Sequence, residues 1–257
     1  YVDGTQDTTI NPTEALRIDS SGLVLIGQTS SVNGVYGSPP PRFSVSTTTA
    51  SPAIFATYSN DVYGSRIDLI KSRSTSVAGT TVVQAGDAIG EIVFGGADGD
   101  QFHPTALIQS TVESGVGNND MPGDLRFFTN SGATTATERA RIDSSGRVTT
   151  PYQPYCMLGK SSNQSIPNVS STKITFNIET VDRGGNFDTS NSRFTAPIAG
   201  DYLVALIVQY TQNVNQCHAG IWKNGGGLGT NFDSWVNWGD DTRAAVMTVV
   251  VNLAAND

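Results

Sequence analysis

Apolar and polar positions alternate with a period of two over short runs of this chain. Leu16 and Ile18 alternate with Arg17 and Asp19, and Val24 and Ile26 resume the pattern after Asp19-Ser20-Ser21-Gly22. That is strand period. Asp-Ser-Ser-Gly is a turn signal, because Asp and Ser bond their own backbone and Gly tolerates positive φ. Together they predict a β-hairpin with one apolar face. Further strands are predicted at Arg66 to Lys71, Ile89 to Phe94, Thr105 to Val112 and Leu125 to Thr129. Turn signals separate them at Asn60-Asp61, Asp98-Gly99-Asp100, Asn118-Asn119-Asp120 and Pro122-Gly123. Many short strands with regular turns predict a sandwich or barrel. Segment 28–52, with Pro39-Pro40-Pro41, reads as a linker or a wandering surface segment.

The first hairpin recurs. Thr13-Glu14-Ala15-Leu16-Arg17-Ile18-Asp19-Ser20-Ser21-Gly22-Leu23-Val24 returns 124 residues later as Thr137-Glu138-Arg139-Ala140-Arg141-Ile142-Asp143-Ser144-Ser145-Gly146-Arg147-Val148. A lone hairpin is barely stable in water. Each copy must therefore lie against other chain, or against copies of itself.

Pro151 and Pro154 interrupt the pattern, and the texture changes beyond them. Two domains are expected, 1–150 and 151–257, the second ending short of its last strands. In the second, Ile174, Phe176 and Ile178 alternate, as do Val246, Thr248 and Val250, and Ala219 to Gly225 runs from a strand into a hairpin turn. Leu203 to Val208 differs, because it is apolar on both faces, so both must be covered. One face packs in the domain core. A subunit interface is the expected cover for the other, at Leu203, Ala205 and Ile207; a doubly covered strand within one chain is the alternative.

Composition narrows the class. The 257 residues include 27 Gly, 26 Ser and 29 Thr, while charged residues make up 15%. Only five of the 23 acidic residues are Glu and only four of the 15 basic residues are Lys. Helix surfaces favour Glu, Lys, Ala and Leu, whereas strand surfaces favour Thr and Val. The expected class is all-β. The net charge is −8 with no Lys/Arg cluster, which excludes an ordinary nucleic-acid footprint. No run of about 18 apolar residues occurs, so no membrane insertion is expected. The chain starts at Tyr1 rather than Met, and it reads as a fragment. Cys156 and Cys217 read as buried free thiols, with a disulfide as the alternative.

Two resemblances attach to particular residues. The hairpin repeat, Asp87-Ala88-Ile89-Gly90-Glu91-Ile92-Val93-Phe94-Gly95-Gly96-Ala97-Asp98-Gly99 and Asn119-Asp120-Met121-Pro122-Gly123-Asp124-Leu125 resemble tail-fibre proteins of tailed bacteriophages. The first copy ends in that family's manner with Val24-Leu25-Ile26-Gly27. The second departs, with Val148-Thr149-Thr150-Pro151, as suits a domain junction. Arg193-Phe194-Thr195-Ala196-Pro197-Ile198-Ala199-Gly200-Asp201-Tyr202-Leu203-Val204 is similar to the signature strand pair of the complement globular-head and tumour-necrosis-factor jelly rolls. Ile221 and Lys223-Asn224-Gly225 match a later hairpin of that family. The resemblances imply a fibre-body β domain bounded by hairpins 13–27 and 137–148, then an antiparallel jelly-roll head, in a homotrimer.

Candidate chemistry is sparse. His218 follows Cys217, and neighbours on a strand point to opposite faces, so they form no dyad. No nucleophile elbow or phosphate loop occurs. Asp240 and Asp241 are adjacent but read as a solvated turn rather than the separated carboxylates of a glycosidase. Asp98, Asp100 and His103 match no metal-ligand spacing closely and read as a polar loop. No enzymatic activity, metal or cofactor is expected. Trp235 and Trp238, with Asp233, Asp240 and Asp241, are the candidate glycan site, because sugars stack C–H groups on aromatic faces ringed by polar acceptors. The competing role for both Trp residues is packing in the head or the trimer. Trp222, alternating with Ile221 and Lys223, reads as structural. The expected function is a virion tail-fibre component, extracellular, recognising the host through its head. Its expected partners are other tail proteins and a host surface glycan or outer-membrane receptor. A capsid decoration with a purely structural role and a polysaccharide depolymerase are the alternatives.

Overall fold

The computed structural model describes residues 16–20, 22–26, 33–35, 41, 43–48, 51–167, 170–210, 216–227, 233–237 and 243–257. The fold is all-β, with no α-helix among the described residues. Two units separate at Pro151/Tyr152, namely Tyr1–Pro151 and Tyr152–Asp257.

In the first unit, β1 (Leu16–Ile18) pairs antiparallel with β2 (Val24–Ile26). The predicted turn joins them. Asp19 Oδ1 accepts the Leu23 amide at 3.0 Å, and Gly22 sits at φ 75°. β3 (Phe43–Val45) then pairs parallel with β2. This strand lies inside the segment expected to be a linker. Leu25, 2% exposed, is the buried residue of the small sheet.

The larger sheet is an antiparallel meander of β4 (Ala88–Ala97), β5 (Phe102–Val112), β6 (Gly123–Thr129), β7 (Thr137–Ile142) and β8 (Val148–Thr149), in that order. The second copy of the repeat supplies β7, its turn and β8. Asp143 Oδ1 accepts the Ser145 and Arg147 amides at 3.0 and 2.9 Å, and Gly146 sits at φ 78°. Identical residues thus build the same turn twice. The five strands form an open sheet rather than the expected sandwich or barrel. Apolar residues on it, such as Ile92 and Phe94, stay about half exposed. The predicted strand Arg66 to Lys71 enters no ladder. Its alternation is strand-like, but no described strand forms a ladder with it.

In the second unit, β9 (Tyr155–Gly159) pairs with β10 (Ile178–Arg183), and β11 (Phe187–Asp188) with β12 (Arg193–Phe194). Ile174 and Phe176 precede β10, half-buried, and the Phe176 amide is bonded by Ser192 Oγ rather than by a ladder. β13 (Gly200–Tyr210) and β18 (Arg243–Leu253) pair antiparallel over eleven residues. β14 (Gln216–Gly220) pairs with β17 (Asp233–Asn237), and β15 (Trp222–Lys223) with β16 (Gly226–Gly227). The last pair closes on Asn224 and Gly225, both at positive φ, as a two-residue hairpin requires. Met247, Val249 and Val251 form the core, with Val204, Leu206, Ile221 and Leu253 packed on it. Phe194 and Tyr202 meet edge to face, with ring centroids 5.7 Å apart.

Candidate interaction surfaces

The β13–β18 ladder decides which positions are covered. Strand geometry sends successive side chains to opposite faces. Tyr202, Val204 and Leu206 lie opposite Val251, Val249 and Met247, and this face is the core. Leu203, Ala205 and Ile207 lie opposite Val250, Thr248 and Val246 on the other face. Leu203 and Ile207 are each 72% exposed, and Val246 and Val250 each 59%. All three residues predicted at an interface therefore line one bare, mostly apolar sheet face. The ladder runs through eleven pairs with no register shift, and alternate pairs along it build this face as a continuous strip.

The predicted glycan residues are only partly placed. Asp233 and Trp235 fall on β17, in register with Gly220 and His218. Trp238, Asp240 and Asp241 lie outside the described residues. Trp222 has a different environment from the structural one expected of it. Its side chain is 63% exposed, and its cross-strand partner is Gly227, which has no side chain to cover the ring. Beside it, Lys223 Nζ lies 2.5 Å from Asp257 Oδ2, and Asn224 links Arg193 to Asp257 at 3.1 and 2.8 Å. The open Trp222 ring supplies the apolar half of a sugar platform, while Lys223, its neighbour on the strand, points to the opposite face. Only the cross-strand glycine distinguishes it, and register is not visible in a single run of sequence.

Asp257 also receives the Ala254 amide at 2.6 Å, and the Ala196 amide bonds the Asp257 carbonyl at 3.0 Å. Ala196 is fully buried beneath this clasp. The Lys223 bond, then the Ala254 amide, hold the Asp257 carboxyl below its ordinary pKa.

Acidic groups elsewhere are occupied by structure. Asp98 Oδ1 accepts the Asp100 and Gln101 amides at 3.0 Å, and its other oxygen lies 3.3 Å from His103 Nε2. The amide bonds, that of Gln101 first, lower the Asp98 pKa. Asp100 contributes its backbone to this turn. Among the described residues no group of three His, Cys, Asp or Glu side chains is placed to hold a metal ion. Buried Asp124 lies 2.7 Å from Arg126 and 3.7 Å from Arg141, and Arg141 reaches Glu138 at 2.9 Å. The Asp124–Arg141 pair ties β6 to β7. Cys156 is a half-buried free thiol on β9 whose pKa is raised, first by burial and then by Asp182 and Glu179. The Cys217 side chain lies outside the description.

No family model matches the chain, and no curated relative does. The solved structures similar to this chain include two of one tail fibre. One is the carboxy-terminal domain of the bacteriophage T5 L-shaped tail fibre, with a TM-score of 0.43 and 16% identity over 63% of this chain and 68% of that one. The other is that domain with its intra-molecular chaperone domain, with a TM-score of 0.43 and 13% identity over 93% of this chain and 72% of that one.

Proposed function

We propose that this chain is part of a homotrimeric bacteriophage tail fibre, in which residues 1–150 form fibre body and residues 151–257 a jelly-roll head that attaches to the host. The observation that carries this reading is the bare apolar face of the β13–β18 ladder. An exposed strip of Leu, Ile and Val on a regular sheet marks an interaction surface. Its continuity along two long strands suits a copy of the same strip better than a small ligand. The hairpin repeat supports a fibre, because each copy has an apolar face too small to stand alone.

The work is adhesion. Three weak sites on one trimer gain avidity against a repetitive surface. A charge of −8 per chain repels strongly anionic surfaces, so the partner is a neutral glycan, a protein receptor or a cation-bridged contact. The aromatic candidates are Trp235 and Trp238, joined now by Trp222. Host-cell adsorption and a glycan array, run with Trp222→Ala, Trp235→Ala and Trp238→Ala, test the site. Weakened binding by any of them with an unchanged fold supports it. Unchanged binding by all three removes aromatic sugar stacking as the mechanism.

A further inference from the structure

Residues 51–71 are the unexplained part of the first unit. Every one is exposed in the single chain, and among the described residues none enters a backbone–backbone hydrogen bond. The composition is not that of a solvated linker, which is polar and low in aromatic and β-branched residues. Ile54, Tyr58, Tyr63 and Ile70 are 84%, 96%, 78% and 89% exposed. The run folds back at Asn60–Val62, where Asp61 Oδ1 accepts the Tyr63 amide at 2.9 Å. The hydroxyls of Thr57 and Ser65 meet at 2.9 Å across the two arms. It is a hairpin without a ladder.

Its root is fixed. Leu69 sits so close over Gly90 of β4 that a Cβ added there would come within 2.5 Å of the Leu69 Cβ. Lys71 and Arg73 both hold Asp87, at 3.3 and 2.7 Å. Beyond that root the arm has no partner in the described chain. The five-stranded sheet has the complementary defect. Among the described residues β4 pairs only with β5; Leu69 lies against Gly90 and Val35 against Gly95, but no strand is laddered to its other edge, and Ile92 and Phe94 are exposed on it.

We infer that the arm is a strand-exchange element, pairing with the open β4 edge of the next copy of this chain. The inference rests on the trimeric reading above. Both halves of the contact lie on one polypeptide, so it is heterologous, and three copies close it with no arm or edge left over. The β13–β18 face also needs the help. Eleven residues of two strands cover about 36 Å by about 10 Å, well under the roughly 800 Å² per partner of a standard interface. A second contact in the other unit supplies the difference.

The test uses the full chain carrying Tyr63→p-benzoylphenylalanine, with its mass first read by light scattering. Irradiation of a trimer is expected to give denaturing-gel bands at two and three times 27.1 kDa, with cross-linked peptides from 88–97. Products of single-chain mass from a proven trimer overturn the exchange and leave the trimer standing. A native mass of 27.1 kDa overturns both. A second pair of variants reads the strand geometry. Alternate amides of an edge strand face its partner, and Pro removes one donor. Of Ile67→Pro and Asp68→Pro, one is expected to lose most of the inter-chain product and the other to keep it. Equal yields from the two overturn the pairing.

Discussion

Charging the bare face of β13 tests the oligomer directly. In Leu203→Asp/Ile207→Asp the two sites are four residues apart on the same face, each 72% exposed in the single chain. Fully burying a Leu or Ile is worth about 1.5–3 kcal/mol. Covering the exposed fraction of each is therefore worth about 1–2 kcal/mol, and the substitution removes that. It also forces a carboxylate into the interface, at a cost of several kcal/mol per ion. Two sites in each of three chains give six such penalties, enough to abolish assembly at micromolar concentration. The isolated chain is hardly affected, because substitutions at sites open to water usually change stability by within about 0.5 kcal/mol.

The two consequences separate assembly from folding. Light scattering of the unmodified protein is expected at about 81 kDa, three times 27.1 kDa, and of the double variant at 27.1 kDa. Far-UV circular dichroism should keep the signal of the ladders formed within one chain and lose only that of strands paired between chains. The reasoning is refuted if the unmodified protein stays at 27.1 kDa up to high concentration, or if the double variant keeps the trimer mass. A variant that loses the circular dichroism of the within-chain ladders shows that the face packs within the chain, which refutes the reasoning as well.

Three further outcomes follow from the turns and the acidic groups. Gly146→Ala places a Cβ at φ 78° with nothing within 4 Å, so backbone strain acts alone, and a loss of about 1–2 kcal/mol is expected by urea melting. Asp87, Asp143, Asp188 and Asp257 all have lowered pKa values, Asp87 chiefly through its Arg73 bond and Asp143 through the Arg147 amide. Their folded pKa values lie below the unfolded reference of about 3.9. The stability they supply is therefore present above that pH and is lost as pH falls through the folded values. Melting temperature should be level near neutrality and drop below about pH 4, with a shallower acid limb in Asp87→Asn; a level profile down to pH 2 contradicts this. Gly90→Val drives a side chain into Leu69, so the root of the 51–71 arm should loosen and cleavage after Lys71 and Arg73 by trypsin should quicken.

The local chemistry of this chain was legible, and its partnerships were not. The Asp-Ser-Ser-Gly turns and the Asn224-Gly225 hairpin depend on residues within five positions of one another, and both form as expected. Strands β4, β5 and β6 follow period two and are found where the alternation placed them. β3 escaped because three residues carry little pattern and its partner, β2, is reached through a long connection in parallel register. The exposure of Trp222 escaped because alternation says which way a side chain points, while Gly227 across the ladder decides whether the ring is covered.

Arg66 to Lys71 shows the same division from the other side. Its alternation is that of a strand, yet a strand is defined by a ladder partner, and no described strand of the chain pairs with it. Leu203 to Val208 has a neighbour for its edge and none for its second face. In both places the sequence specifies a surface fitted to be covered, and the single chain leaves it open. A monomer selected to stand alone would carry polar residues at Leu203, Ile207, Val246 and Val250, because that change costs its core nothing. Apolar residues at four facing positions of one ladder, and at the unpaired arm of the other unit, fit one proposal: a folded unit larger than one chain.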